Sequence, residues 1–202
     1  MEQDRDPISL TKVALRKKLK QIRLGLDENY CNKASEAISE EIDQYLNANN
    51  IAAYYPINNE VDITRYLIGL KNKRLALPVI KNQEMIFREW LLESKLSMNK
   101  WLTLEPDSHV SRVIIPETII VPMLGFDRKC NRLGYGFGYY DKVLHSYPSA
   151  LGIGIAFSVQ EVEKIPAEAH DVVLDLIITE KEVIKNADKK FSTENKARFN
   201  KT

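Results

Sequence analysis

Residues 131–144, NRLGYGFGYYDKVL, gather the residue types that phosphate chemistry asks for. Gly134, Gly136 and Gly138 stand at alternate positions, Arg132 precedes them, and Tyr139, Tyr140 and Asp141 follow. Glycines let a backbone adopt positive φ and come close to a ligand, so that successive N–H groups converge on an anion. Arginine adds a planar fork of donors matched to phosphate oxygens. A helix is predicted over 139–147, and its N-terminus offers unpaired N–H groups and a partial positive charge. Asp141 falls in its first turn, where a carboxylate can meet a phosphate-bound Mg²⁺ through oxygen. On pattern alone the stretch also fits a glycine-rich turn in which Asp141 serves the helix dipole. The G-x-G-x-G spacing is neither the G-x-x-x-x-G-K-S/T phosphate loop nor the G-x-G-x-x-G dinucleotide fingerprint, because Tyr139 takes the place of the last glycine.

The elements around this stretch say how it is held. Leu15, Leu19, Ile22 and Leu26 recur at helical steps, which predicts a helix over 9–25 with that face inward and Lys and Arg on the others. Asp27 is suited to cap a second helix, with Tyr30, Ala34, Ile38, Ile42 and Tyr45 on one face. IAAYYPI (51–57), LALPVI (75–80), MIFREWL (85–91), TIIVPML (118–124), LGIGIAFS (151–158) and VVLDLIIT (172–179) read as strands. A helix over 62–74, capped by Asp62, separates the first two. Strands alternating with helices predict an α/β fold: one three-layer, Rossmann-like domain, 1–184, with a mostly parallel sheet flanked by helices. The polar stretch 185–202 reads as a frayed tail. In such sheets ligands bind outside the carboxyl ends of the strands, which is where the glycine stretch falls.

Composition narrows the partners. Lys and Arg number 29 against 28 for Asp and Glu, so no global field draws nucleic acid or an anionic membrane, and any anion site is local. Cys31 and Cys130 are far apart and in no metal-ligand spacing, which suits a reducing, cytoplasmic setting. The N-terminal MEQDRDPISL has no apolar core and reads as no signal peptide, and the longest apolar run is interrupted by Pro116, Glu117 and Pro122.

VPMLGFDRKCNRLGYGFGYYDKVL resembles the 5-formyltetrahydrofolate cyclo-ligase family. The family's pattern is an apolar strand ending in Pro, then G-L/F-x-F-D, then R-L/I-G-x-G-x-G-Y/F-Y-D. KVALR near the N-terminus, YYPINNEVDI, and GIAFSVQEVEKIPAEAHDVVLDLIITE agree with it in the same order. The resemblance implies a monomer that converts 5-formyltetrahydrofolate to 5,10-methenyltetrahydrofolate while ATP becomes ADP and phosphate, with Mg²⁺ as cofactor. It implies that Lys12, Arg16 and the segment Arg132, Leu133, Gly134, Tyr135, Gly136, Phe137, Gly138, Tyr139 and Tyr140 bind ATP. Tyr55, Glu60 and Tyr135 to Tyr139 are implied folate contacts, Arg132 and Tyr140 catalytic residues, and Asp141 and Asp171 metal ligands. WLTLEP (101–106) resembles a stretch near the nucleotide.

One residue departs from the pattern. The family usually has Gly or Lys between the second and third glycines, and here it is Phe137, which brings bulk but no charge. A phosphosugar isomerase-like enzyme of related architecture, or a non-catalytic folate or nucleotide binder, shares the phosphate cradle. The reaction asks for no obvious base, so His170 reads as a structural or polar residue.

Overall fold

The apolar runs pair side by side into one seven-stranded sheet in a computed structural model, which describes residues 7–189 apart from 92, 94, 100–102, 108 and 109. In chain order the elements are α1 (Pro7–Leu24), α2 (Glu28–Ile42), β1 (Asn50–Ala52), α3 (Thr64–Gly69), β2 (Arg74–Lys81) and β3 (Glu84–Glu89). Next come β4 (Leu96–Met98), β5 (Leu104–Pro106), β6 (Thr118–Pro122), β7 (Gly125–Phe126) and β8 (Arg132–Leu133). The chain continues through α4 (Tyr139–Ser146), β9 (Leu151–Ile155), β10 (Leu176–Ile178) and β11 (Val183–Lys185). The sheet order is β11-β10-β9-β6-β1-β2-β3. The pairings from β10 to β2 are parallel, and β11 and β3 close the edges antiparallel. The expected α/β class and mostly parallel sheet are those observed.

Alternation along the strands makes two cores. Ile51, Leu75, Leu77 and Ile120 face α2 and α3, meeting Ile38, Ile42 and Leu67. Their neighbours Ala52, Ala76, Ile119 and Val121 face the other way and pack with Val143 and Leu144 of α4. Helices on both faces give three layers. The chain leaves β1 toward β2 on one side, while β6 lies on its other side and leads on to β9. The carboxyl ends of β1 and β6 therefore diverge and open a crevice.

Several predicted elements end sooner than expected, for a common reason: near the crevice the chain leaves the sheet to build walls. The strand expected over 51–57 pairs as Asn50–Ala52, and those over 118–124 and 151–158 end at Pro122 and Ile155. The strand expected over 172–179 is reduced to Leu176–Ile178, because the N–H of Leu174 bonds Cys130 O instead of a sheet neighbour. The helix expected over 62–74 is Thr64–Gly69, stopped before Asn72 at φ 62°. Asp62 accepts from the Thr64 N–H at 2.8 Å, though Ile63 holds the cap position. Asn82 and Gln83, both at positive φ, turn β2 into β3 and set Phe87 and Trp90 inward. At the other end the chain stays attached past Lys185. Asn186 is buried, donating from its N–H to Asp175 O at 2.9 Å and from Nδ2 to Leu174 O at 3.0 Å. The expected tail from 190 onward lies outside the described residues, as do residues 101 and 102 of WLTLEP; its Leu104–Pro106 forms β5 beside β4.

The predicted inward face of α1 is corrected most. Ile22 is 36% exposed, whereas Lys12, Leu19 and Arg23 are buried. These residues, with Arg16, follow steps of four, three and four, so they form one stripe of the helix. α1 lies over loops at the carboxyl end of the sheet, and those loops present carbonyls and carboxylates. Cations satisfy them, while Leu19 joins a small apolar cluster with Leu124, Leu133 and Ile165, and half-buried Leu15 packs against it.

Asp127 sets the turn between β7 and β8 that delivers Arg132 to the crevice. Its buried carboxylate accepts the N–H groups of Lys129, Asn131 and Ile165 at 2.9, 3.1 and 3.0 Å, plus the Asn131 side chain. Asp127→Ala leaves these donors without an acceptor and is expected to lower stability by about 3 kcal/mol in urea unfolding, with Asp127→Asn costing less. A change under about 0.5 kcal/mol for the alanine variant would show that the turn holds without the carboxylate.

Candidate functional site

The glycine stretch forms the loop into α4. Gly138, at φ 68°, occupies the N-cap of a helix whose first residues are Tyr139, Tyr140 and Asp141. Gly136 has φ 98°, and a Cβ there would stand 3.1 Å from Arg16 Cζ, so the missing side chain also makes room for that guanidinium. Arg16 Nε donates to Gly134 O at 2.9 Å. The phosphate-type loop thus has a cation lying against it from α1. Phe137 is 55% exposed and stacks on Tyr139, with centroids 6.0 Å apart and planes at 28°.

Two ion pairs border the loop. Arg132 donates from one terminal nitrogen to Asp141 Oδ1 at 2.6 Å and from the other to the Val172 carbonyl. The Val172 N–H also reaches Asp141 Oδ1, at 3.0 Å. The fork expected to face phosphate is therefore engaged with protein and its side chain is nearly enclosed, tying α4 to the 165–172 loop. Asp141 Oδ2 carries no protein hydrogen bond among the described residues. In the second pair, Lys12 Nζ lies 2.5 Å from Glu168 Oε2 and 2.6 Å from Asp171 Oδ2. Burial by itself would lower the Lys12 pKa, but the bonds to the two carboxylates prevail and hold it above the ordinary lysine value. Burial pushes Asp171 up, yet the Lys12 ammonium and the Glu168 N–H outweigh that and bring it down. His170 is mostly exposed, with Nε2 3.8 Å from Asp171 Oδ1.

A third cluster is built on Glu60, which is buried. Oε2 accepts the Ile57 N–H at 3.1 Å, and Oε1 accepts the Tyr135 hydroxyl at 3.2 Å with an Arg23 nitrogen at 3.5 Å. Burial raises the Glu60 pKa, and Arg23 is the strongest opposing influence. Tyr54 donates to Val61 O at 2.6 Å, and Tyr55 meets Trp90 edge to face. Tyr140 lies near both Glu60 and Arg132, and burial pushes its phenol well up, so it stays a hydroxyl donor at neutral pH.

All three clusters line one cavity of about 1220 Å³. Every site residue predicted from the sequence is in its wall, from Lys12 and Arg16 through Tyr55 and Glu60 to the 132–141 segment and Asp171. The volume exceeds the roughly 300–1,000 Å³ usual for one drug-sized ligand, leaving room for two. Tyr54, Asn58, Glu168 and the β2–β3 residues Pro78, Ile80 and Met85, which no sequence motif singles out, also line it. Arg23, one of the basic residues expected on the outer faces of the first helix, is buried instead, and its spacing from Lys12 and Arg16 is the signal the sequence carries. The carboxylates of Asp141, Glu168 and Asp171 are hard oxygen donors on one cavity, which is the donor chemistry Mg²⁺ takes. Ligand atoms of Glu168, His170 and Asp171 lie within 4.8 Å of one another, with Lys12 now supplying the positive charge there.

Residues 8–180 match the model of the 5-formyltetrahydrofolate cyclo-ligase family. The 5-formyltetrahydrofolate cyclo-ligase of Haemophilus influenzae is 28% identical over 179 residues, covering 81% of this chain and 95% of the relative. That of Mycoplasma pneumoniae is 30% identical over 180 residues, covering 85% and 99%. The solved structure of Aquifex aeolicus 5,10-methenyltetrahydrofolate synthetase superposes with a TM-score of 0.78 at 32% identity, over 89% of this chain and 94% of that one.

The Lys12 pair has a defined pH window. Asp171, with its depressed pKa, contributes stability above its ordinary value near 3.8 and loses it as pH falls through the folded value. Lys12, with its raised pKa, contributes below 10.5 and loses it as pH rises through the folded value. Lys12→Met is expected to cost about 1–3 kcal/mol at neutral pH, less than a fully buried pair because Glu168 and Asp171 are partly exposed. Urea unfolding of both proteins should show the difference shrinking toward about pH 3; a constant difference would mean packing, not charge, is lost.

Proposed function

The chain belongs to the 5-formyltetrahydrofolate cyclo-ligase family, a family of ligases, and on that premise we propose that it cyclises 5-formyltetrahydrofolate to 5,10-methenyltetrahydrofolate at the expense of ATP. The observation that carries this reading is the single cavity holding both a helix-terminal glycine loop with cations beside it and a tyrosine-lined recess with a buried acid. The first suits phosphates. The second suits a pteridine, whose ring stacks on aromatics and whose donor-rich edge seeks a carboxylate.

A formamide carbonyl is a poor electrophile and its oxygen a poor leaving group. Transfer of the γ-phosphoryl group to the formyl oxygen breaks the terminal P–O bond of ATP, leaves ADP and makes that oxygen part of a phosphate ester. N10 of the same folate adds to the activated carbon, gives up its proton, and phosphate departs with the former formyl oxygen. The ring closure is intramolecular, so the protein's work is orientation and charge stabilisation, without a covalent nucleophile. The N–H groups of 134–139 cradle the phosphates, with Lys12 and Arg16 turning from their present partners toward them. Arg132 braces Asp141 and the 165–172 loop, and Tyr140 places a neutral hydroxyl between the two halves. Tyr55 walls the pteridine and Glu60 accepts from it. Asp141 and Asp171 would hold Mg²⁺, which when bound supplies neutralisation of phosphate charge.

Purified protein mixed with 5-formyltetrahydrofolate and MgATP is expected to give methenyl absorbance and ADP in equal amounts. Product formed without ADP would refute the phosphorylation route, and both ligands bound without product would mark a binding protein. Glu60→Gln should raise the folate KM about tenfold with a smaller change in kcat. Asp141→Asn, whose amide oxygen still accepts from Arg132 and Val172, should keep the fold and lose about 100-fold in kcat; full activity would remove Asp141 from the metal site.

A further inference from the structure

Arg23 is among the largest fully buried side chains, at 1% exposure, and the reaction as written gives it no task. Its bonds run to three separate segments around the crevice. Nε donates to Asn58 O at 3.0 Å, beyond β1; one terminal nitrogen donates to Met123 O at 3.0 Å, just beyond β6; the other reaches the Tyr135 hydroxyl at 2.5 Å, in the glycine loop. The same guanidinium comes within 3.5 Å of Glu60 Oε1, which also accepts from Tyr135. Arginine's rigid fork is suited to such a junction, since it satisfies several acceptors in fixed directions.

We propose that Arg23 is a positioning residue for the folate half of the site: it keeps Glu60 a charged acceptor and fixes the Tyr135 hydroxyl beside it. The occupant, a folate-type pteridine edge, rests on the function proposed above. The groups facing Glu60 are Arg23 from α1, Tyr54 beyond β1, and Tyr135 and Tyr140 of the glycine segment. Burial pushes all three phenols above their ordinary value, so Arg23 is the charged member of the four at neutral pH. Without it Glu60 would be a buried carboxyl with only neutral neighbours among these, and desolvation would favour its protonated form. A protonated Glu60 turns a donor toward a donor-rich edge. Because Tyr135 also belongs to the phosphate loop, the same side chain links the acid that meets one substrate to the backbone that meets the other.

The test begins on the ligand-free protein. The Glu60 carboxyl carbon, identified by its loss in Glu60→Gln, is titrated by NMR in wild type, Arg23→Met and Arg23→Lys. The wild-type midpoint should lie above the usual glutamate value, and Arg23→Met should raise it by more than about one unit, tenfold in proton affinity. The affinity for 5-formyltetrahydrofolate without ATP should then fall at correspondingly higher pH in Arg23→Met. It should be weak and flat with pH in Glu60→Gln, and little weaker in the double variant. Arg23→Lys keeps the charge and decides the matter if Arg23→Met does not stay folded. It should bring the midpoint back to within about half a unit of wild type yet bind folate several-fold more weakly, since an ammonium lacks the fork. An unmoved Glu60 midpoint in folded Arg23→Met, a uniform affinity loss at every pH, or a lysine variant that binds folate as tightly as wild type would overturn the proposal. A wild-type protein that titrates as described but binds no folate would instead refute the folate reading of the cavity.

Discussion

Buried and half-buried cations on one face of α1 hold the crevice together. Lys12 reaches the carboxylates of Glu168 and Asp171, Arg16 the Gly134 carbonyl, and Arg23 the carbonyls of Asn58 and Met123 with the Tyr135 hydroxyl. Together these contacts join the helix to the chain at Asn58, at Met123, in the glycine loop and in the 165–172 loop. A leucine face would fill the same volume but leave those carbonyls and carboxylates without partners, at the cost that buried unsatisfied groups carry. The helix is thus both a packing element and the source of charge for the site.

That arrangement suits chemistry on anions. Lys12 and Arg16, four residues apart, would repel one another on a bare helix, and each is balanced here by a protein acceptor close at hand. On the proposed function an arriving phosphate would offer both another acceptor, and the Glu168 and Asp171 carboxylates that Lys12 would leave face the same cavity. Preorganised donors of this kind lower the reorganisation that a charged transition state demands. Tyr140, whose phenol feels both Glu60 and Arg132, lines the cavity that holds the two clusters.

Much of the fold was legible because its determinants are local. Asp27 caps α2 by accepting from the Tyr30 N–H, and the apolar face of α2 is the one its spacing predicts. The apolar runs give the strands, and their alternation gives two cores. Element ends were less legible. Val172 to Leu174 has the composition of a strand, but its hydrogen bonds run to Asp141 and Cys130, partners 31 and 44 residues earlier. Propensity carries no information about such distant acceptors.

The residue types and spacing of 131–141 singled out one wall of the cavity, and the family resemblance added Tyr55, Glu60 and Asp171, which line it as well. Sequence order alone placed that segment after a buried strand and before a helix, and so at the open end of a parallel sheet. Only the tertiary structure decided which charges face which. Hydrophobic periodicity put Leu15, Leu19 and Ile22 on the inward face of α1. Leu15 and Leu19 do pack inward, but Ile22 is exposed and Lys12, Arg16 and Arg23 share the inward stripe, because much of the surface it meets is made of polar loop atoms. The burial of Glu60, the engagement of Arg132 with Asp141 and the place of Arg23 follow from the same cause. A helix pattern records which residues share a face, and the polarity of the partner surface determines which face turns inward.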